Sequence, residues 1–187
     1  MNLSPLQIML IRECTRDDVS FAKMLDLYAD LARQASKKTS EIMDDVIVSN
    51  LQNEIVEDTS LSAKKGAPLI GVIDDSASLN DIVKRVLEHE GFRVSTWLNP
   101  IHLLEGDGEI PSLMLLDIEM PEMNGAIAMD RFKEDHRFTQ TKIIFMTGLV
   151  SSAEAMELSL PGKTAYLSKP FTKEKLIEMV KKGLGQG

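Results

Sequence analysis

The sequence predicts an α/β protein: a five-stranded, doubly wound parallel sheet preceded by a small all-α amino-terminal region. Two observations predict it. From Leu69 onward, short apolar runs alternate with longer stretches whose apolar residues recur at helical spacing, the pattern of βαβ units. Over residues 1–66 the apolar residues recur at helical spacing only, with a single proline, Pro5, and a single glycine, Gly66. At 187 residues, with 43% hydrophobic and 27% charged residues, the chain has material for one domain with a sizeable core and a smaller companion.

In the amino-terminal part, Phe21, Met24, Leu25, Tyr28, Leu31, Ala32 and Ala35 form one helical stripe. A second, less regular one runs through Ile42, Val46, Leu51 and Ile55. Asp17 or Asp18 can cap the first helix and Ser40 the second, with Ser36-Lys37-Lys38-Thr39 as their connection. The stretch from Thr59 to Pro68 is rich in Ser, Lys, Gly and Ala and reads as a linker. The expected division is a helical docking or dimerisation region over 1–58, a linker over 59–67 and an α/β domain over 68–187.

Within the α/β part, Leu69–Ile73 is the first strand. Leu79, Ile82, Val83, Val86 and Leu87 then line one face of a helix that Gly91 terminates. Phe92–Trp97 is the second strand, followed by a short helix near Ile101–Leu104. Leu113–Leu116 is the third, with a helix over about Ala126–Phe132. Ile143–Met146 is the fourth, and Ser151-Ser152-Ala153-Glu154 has capping-box spacing for the helix after it. Ala165–Leu167 is the fifth strand and Lys173–Leu184 the last helix. Alternation of this kind implies right-handed crossovers and an open sheet.

Bulk properties narrow the function. A formal charge of −8 and no long run of Lys and Arg argue against nucleic acid or an anionic membrane as partner. One cysteine, Cys14, allows no intrachain disulfide. No basic residue precedes the first apolar stretch, and no apolar run approaches the ~20 residues of a membrane span. The expected location is the cytoplasm. The 11 methionines read as adaptable core filling, and Met24, Met43, Met156 and Met179 fall within helix-periodic stretches.

In open α/β sheets, ligands bind beyond the carboxyl ends of the strands. Asp74 and Asp75 follow strand one, Asp117 strand three, Thr147 strand four and Lys169 strand five. Three carboxylates in one pocket repel unless a cation joins them. An oxygen-only cluster suits Mg²⁺. One aspartate can then act as a nucleophile toward phosphorus, with the metal, Lys169 and Thr147 stabilising the phosphoryl oxygens.

Four pieces carry a more specific signal: Val72-Ile73-Asp74-Asp75-Ser76, Leu115-Leu116-Asp117-Ile118-Glu119-Met120-Pro121-Glu122-Met123-Asn124-Gly125, Phe145-Met146-Thr147-Gly148, and Tyr166-Leu167-Ser168-Lys169-Pro170-Phe171. In content and order they resemble the CheY-like receiver domain of bacterial two-component response regulators. The resemblance implies a flavodoxin-like strand order, 2-1-3-4-5. It implies phosphorylation of Asp117 by a histidine kinase or histidine phosphotransfer protein. It also implies Mg²⁺ held by Asp75, Asp117 and the backbone carbonyl of Glu119, with Asp74 contributing weakly or through water. Lys169 and Thr147 would engage the phosphoryl group, Tyr166 would be an aromatic switch, and Lys169–Pro170 would be cis. The face that responds would comprise residues 151–160, 165–167 and 173–184, meeting a downstream protein, a second copy or the chain's own amino-terminal helices.

Glu119 and Leu149 depart from the family's commoner residues and flank the route of the hydrolytic water, so they would tune the lifetime of the phosphorylated form. No DNA-binding output is expected, because the amino-terminal region has no basic recognition helix and nothing follows residue 187. That region also lacks histidine, which excludes a phosphotransfer bundle. The chain is thus expected to be a signalling phosphoprotein that catalyses only its own phosphorylation and dephosphorylation. The competing readings are a pseudo-receiver that works without phosphorylation and an aspartyl-phosphate phosphohydrolase.

Overall fold

The computed structural model describes the backbone of residues 21–54, 66–120, 123, 125–148 and 165–186. It describes side chains over the same ranges from residue 34 onward, except 36, 53, 54 and 126. The elements are α1 (Phe21–Glu54), β1 (Leu69–Ile73), α2 (Ala77–His89), β2 (Arg93–Trp97), α3 (Pro100–Leu104) and β3 (Leu113–Asp117). They continue with α4 (Gly125–Glu134), a 3₁₀ turn at His136–Phe138, β4 (Lys142–Thr147), β5 (Ala165–Ser168) and α5 (Lys173–Leu184). All strand pairs are parallel, in the order β2-β1-β3-β4-β5. The five expected strands are all present. The capping-box stretch at 151–154, the residues of the expected linker up to 65, and the capping aspartates at 17 and 18 lie outside the described residues.

Strand alternation divides the apolar residues between two cores. Ile70 and Val72 of β1, Leu113 and Leu115 of β3, Ile144 and Met146 of β4 and Leu167 of β5 face one side. There they meet Leu79, Ile82, Val83 and Val86 of α2 and Leu176 and Val180 of α5. Ile73, Met114, Leu116 and Phe145 face the other side, against Leu103 of α3, Ala128, Met129 and Phe132 of α4, and Phe138. Both sides of β1 and β3 are buried throughout, as a central parallel strand requires. Each fully buried aliphatic side chain contributes roughly 1.5–3 kcal/mol.

The helix ends follow local rules. The Leu79 N–H donates to Ser76 Oγ at 3.3 Å to begin α2. At the end of that helix Gly91 takes a φ of 89°, while the Phe92 N–H donates to the Leu87 carbonyl. Thr172 caps α5 and Asn99 caps α3, the latter with Pro100 in the first turn.

Two expectations for the amino-terminal part are corrected. Ser36-Lys37-Lys38-Thr39 is no connection: α1 runs through it without a break. Lysine is a good helix former, no Gly or Pro interrupts, and the Thr39 hydroxyl donates back to the Ala35 carbonyl at 2.9 Å. Ile42 and Val46 do not form a buried stripe, being 56% and 42% exposed. The buried side of this stretch is instead Ser40, Asp44, Ile47 and Leu51, spaced four, three and four apart. Ile47 and Leu51 belong to the same core as α2 and α5. The residues from Ser40 onward form one compact unit with the sheet, while those up to Thr39 form another.

Candidate functional site

The register of the sheet brings the polar strand-end residues together. Asp117 closes β3 opposite Met146, and Thr147 closes β4 opposite Ser168, the residue before Lys169. The Lys169 N–H donates to the Thr147 carbonyl at 2.7 Å, and the Lys169–Pro170 bond is cis. Asp74 is seated at the end of β1 by three polar links. Its N–H donates to the Trp97 carbonyl at 3.2 Å, its Oδ1 accepts the Ser76 N–H at 2.9 Å, and its carbonyl accepts from Asn80 Nδ2 at 2.8 Å. After β3 the chain doubles back at once. The Ile118 N–H donates to the Met146 carbonyl and the Gly125 N–H to the Ile118 carbonyl, each at 3.1 Å. A Cβ on Gly125 would lie 2.3 Å from the Asp117 carbonyl oxygen, so only glycine fits there.

Asp74, Asp117, Thr147 and Lys169 are all buried, whereas Asp75 is exposed. Lys169 Nζ donates to Asp74 Oδ2 at 2.9 Å and lies 3.2 Å from Asp117 Oδ1. Single oxygens of Asp74, Asp75 and Asp117 lie within 4.8 Å of one another. Tyr166 is half-buried, its ring stacked on Phe145 with centroids 5.8 Å apart. Glu119 is half-buried, with Oε2 near Gly148. Leu149 lies outside the described residues.

Sequence reasoning missed one member of the cluster. Asp44, from α1, accepts from Lys169 Nζ at 2.8 Å and is itself buried. Its signal was available: an aspartate at the helical spacing of Ile47 and Leu51, where an apolar residue would be expected.

The electrostatics follow from one ammonium shared by several carboxylates. Burial pushes the Asp117 carboxyl up to about 7, with Asp74 and Asp44 adding to the rise and Lys169 opposing it. Burial likewise pushes Asp44 up to about 6, against the pull of Lys169. Burial alone would lower Lys169, but Asp74, Asp117 and Asp44 outweigh it and hold the ammonium well above its ordinary value. The opposite directions agree: the cation sees three anions, whereas each anion sees one cation and other anions.

Neither Asp117 oxygen accepts a hydrogen bond among the described residues, although both are buried. A buried carboxylate left so, beside two others, fits a hard divalent cation with oxygen ligands. Asp75, the exposed member, lies on the solvent side of that cluster.

A parallel sheet of this order with an acidic cluster and a lysine at its strand ends defines a receiver-type protein. Residues 70–181 match the family described as response regulator receiver domain, and the chain belongs to it. Among curated proteins it is similar to the chemotaxis protein CheY1 of Helicobacter pylori, 30% identical over 122 residues, covering 61% of this chain and 94% of that protein. It is also similar to the transcriptional regulatory protein CrdR of the same organism, 33% identical over 114 residues (60% and 53% of the two chains). The match to the sensor histidine kinase CheAY of H. pylori covers 74% of this chain at 28% identity but only 18% of that protein. This chain thus spans about half of CrdR or less than a fifth of CheAY. Among solved structures, the beryllofluoride-activated DrrB receiver domain aligns with a TM-score of 0.55 and 28% identity, covering 64% of this chain and 98% of that one. Vibrio cholerae CheY4 shares the fold with a TM-score of 0.56 at 24% identity, over 62% and 98% of the two chains.

Proposed function

We propose that the chain is a two-component response regulator that accepts a phosphoryl group on Asp117, with Mg²⁺, and so switches its contacts with other proteins. The single observation that carries the reading is the state of Asp117. It is a buried carboxylate at a strand end whose oxygens accept no hydrogen bond among the described residues, 3.2 Å from an ammonium and within 4.8 Å of two further carboxylates. The CheAY match, a protein described as a sensor histidine kinase, supports a histidine kinase or histidine phosphotransfer protein as donor.

An oxygen of Asp117 attacks phosphorus, and the bond from phosphorus to the donor nitrogen breaks with its electron pair returning to the imidazole. The product is a mixed anhydride on Asp117. In hydrolysis, water attacks the same phosphorus and the carboxylate leaves. Bound Mg²⁺ supplies charge neutralisation at the transferring oxygens, and Asp75, Asp117 and the Glu119 carbonyl would hold it. Lys169 orients one phosphoryl oxygen and the Thr147 hydroxyl another, each a preorganised donor in a mostly buried pocket. Tyr166, packed on Phe145, is the switch aromatic, and the face at 165–167 and 173–184 is where output is read. The amino-terminal region, residues 1–58, serves docking or dimerisation. The protein works without nucleic acid or membrane as partner and in the cytoplasm. No helix among the described residues is long and apolar enough to cross a membrane.

Acetyl phosphate consumption by the full chain tests this reading. The expected course is a Mg²⁺-dependent uptake of one equivalent per chain followed by slow release of phosphate. Fast steady-state turnover of small phosphoesters would favour a phosphohydrolase. No uptake, with a protein partner still bound, would favour a receiver that works without phosphorylation.

A further inference from the structure

The acidic site lies at the ends of β1, β3, β4 and β5, yet α1 also delivers two side chains to it. Asp44 Oδ1 is 2.8 Å from Lys169 Nζ. Met43 lies over Gly148: a Cβ there would come within 2.7 Å of its sulfur and 3.4 Å of Glu119 Oε2. Ile47 and Leu51, one and two turns further along α1, are completely buried in the core shared with α2 and α5. The approach of Asp44 is therefore fixed by packing on the same helix.

We infer that the segment Ser40–Leu51 is an intrachain ligand of the phosphoryl-acceptor site. In it the Asp44 carboxylate holds the Lys169 donor that a phosphoryl group on Asp117 needs, so that docking of this segment and phosphorylation oppose each other. The inference rests on Asp117 being the acceptor.

The argument is one of donors and charge. An ammonium has three N–H groups; here two of them serve Asp44 and Asp74, and the third is left for Asp117, whose Oδ1 lies 3.2 Å from Nζ. A phosphoryl group replaces one negative charge at Asp117 by nearly two and adds oxygens that require donors. Lys169 has one N–H to spare, so giving a second one to the phosphoryl group means releasing a present partner. Asp74 is tied to β1 and α2 through Ser76 and Asn80. Asp44 arrives on a separate helix, and Lys169 donates to it from across the site. It is the carboxylate that yields. Left beside the phosphoryl group it would be an unpaired, like-charged, buried anion, a state that favours departure of the segment. Met43 of the same segment lies against Gly148, the residue after Thr147.

A purely structural role for the Asp44–Lys169 pair makes a different prediction, because breaking it would then only lower stability. Equilibrium binding of beryllofluoride with Mg²⁺ to the full chain separates the two. Asp44→Asn and Asp44→Ala should bind beryllofluoride about tenfold more tightly than wild type, within the usual range of coupling between two ligands. In the wild type, beryllofluoride should speed amide hydrogen exchange of residues 40–51 by a similar factor, since coupling is reciprocal. This second measurement needs no variant to fold. Binding that Asp117→Asn abolishes but that is unaltered or weakened by loss of Asp44, with exchange at 40–51 unchanged, overturns the inference alone. Failure of every chain to bind beryllofluoride overturns the phosphoacceptor reading and the inference together.

Discussion

Asp117 is buried, and its two oxygens accept no hydrogen bond among the described residues, a state with a pH signature. Unfolded, the group ionises near 3.8, and folded near 7, so between those values the native state binds more protons than the unfolded chain. Asp44 behaves alike, with a folded value of about 6. A raised carboxyl makes stability fall as pH rises through the window from about 4 to about 7, by up to ~1.4 kcal/mol per pH unit for each group. Lys169, held above its ordinary value, stays charged across this window and adds no slope. Urea unfolding in Mg²⁺-free buffer should therefore show declining midpoints over that range, with a shallower decline in Asp117→Asn; midpoints that rise with pH would contradict the account. Lys169→Met should be far more damaging, on the order of 3–5 kcal/mol near neutral pH, because it leaves buried carboxylates without their cation. The strand-end residues were legible in the sequence because Asp74, Asp117, Thr147 and Lys169 each follow an apolar run, and strand ends are where an open sheet collects ligands. Asp44 was readable only through its helical spacing with Ile47 and Leu51, and a search for apolar periodicity passes over a carboxylate on the buried side of a helix.

At the scale of elements, α1 is the informative case. Its intrinsic helical signal is carried by good helix formers through Lys37 and Lys38, so no break occurs where polarity alone pointed to a connection. Which side is buried is a tertiary matter, decided by what Ile47 and Leu51 can reach in the core with α2 and α5. Ile42 and Val46 are equally apolar but point away. Ile47→Ala should thus cost about 2–5 kcal/mol in unfolding free energy, whereas Ile42→Ala should stay within about 0.5 kcal/mol of wild type. Equal losses at the two positions, measured by denaturant unfolding, would show that the segment is not packed as described. The strands were easier to place: runs such as Leu113–Asp117, buried on both faces, are continuous apolar stretches ended by a polar residue, and their length forbids a helix of ordinary size. The tight return from Asp117 to Gly125 was legible as a motif, but its cause, the close approach of Gly125 to the Asp117 carbonyl, belongs to three-dimensional structure.

For the molecule as a whole, a sheet of order β2-β1-β3-β4-β5 gathers residues separated by nearly a hundred positions into one pocket. The clustered carboxylates of Asp74, Asp75 and Asp117 should link stability to Mg²⁺. At a hundredfold excess over its dissociation constant the ion should stabilise the fold by ~2.7 kcal/mol, seen as a higher melting temperature. The gain should be largely lost in Asp117→Asn, and an equal gain in that variant would place the ion elsewhere. The most direct measurement is peptide mass mapping of the full chain after acetyl phosphate and Mg²⁺, run beside Asp117→Asn. A single phosphoryl group on the peptide carrying Asp117, absent from the variant, is the predicted result. A phosphoryl group on any other residue, or equal labelling of the variant, would contradict the account.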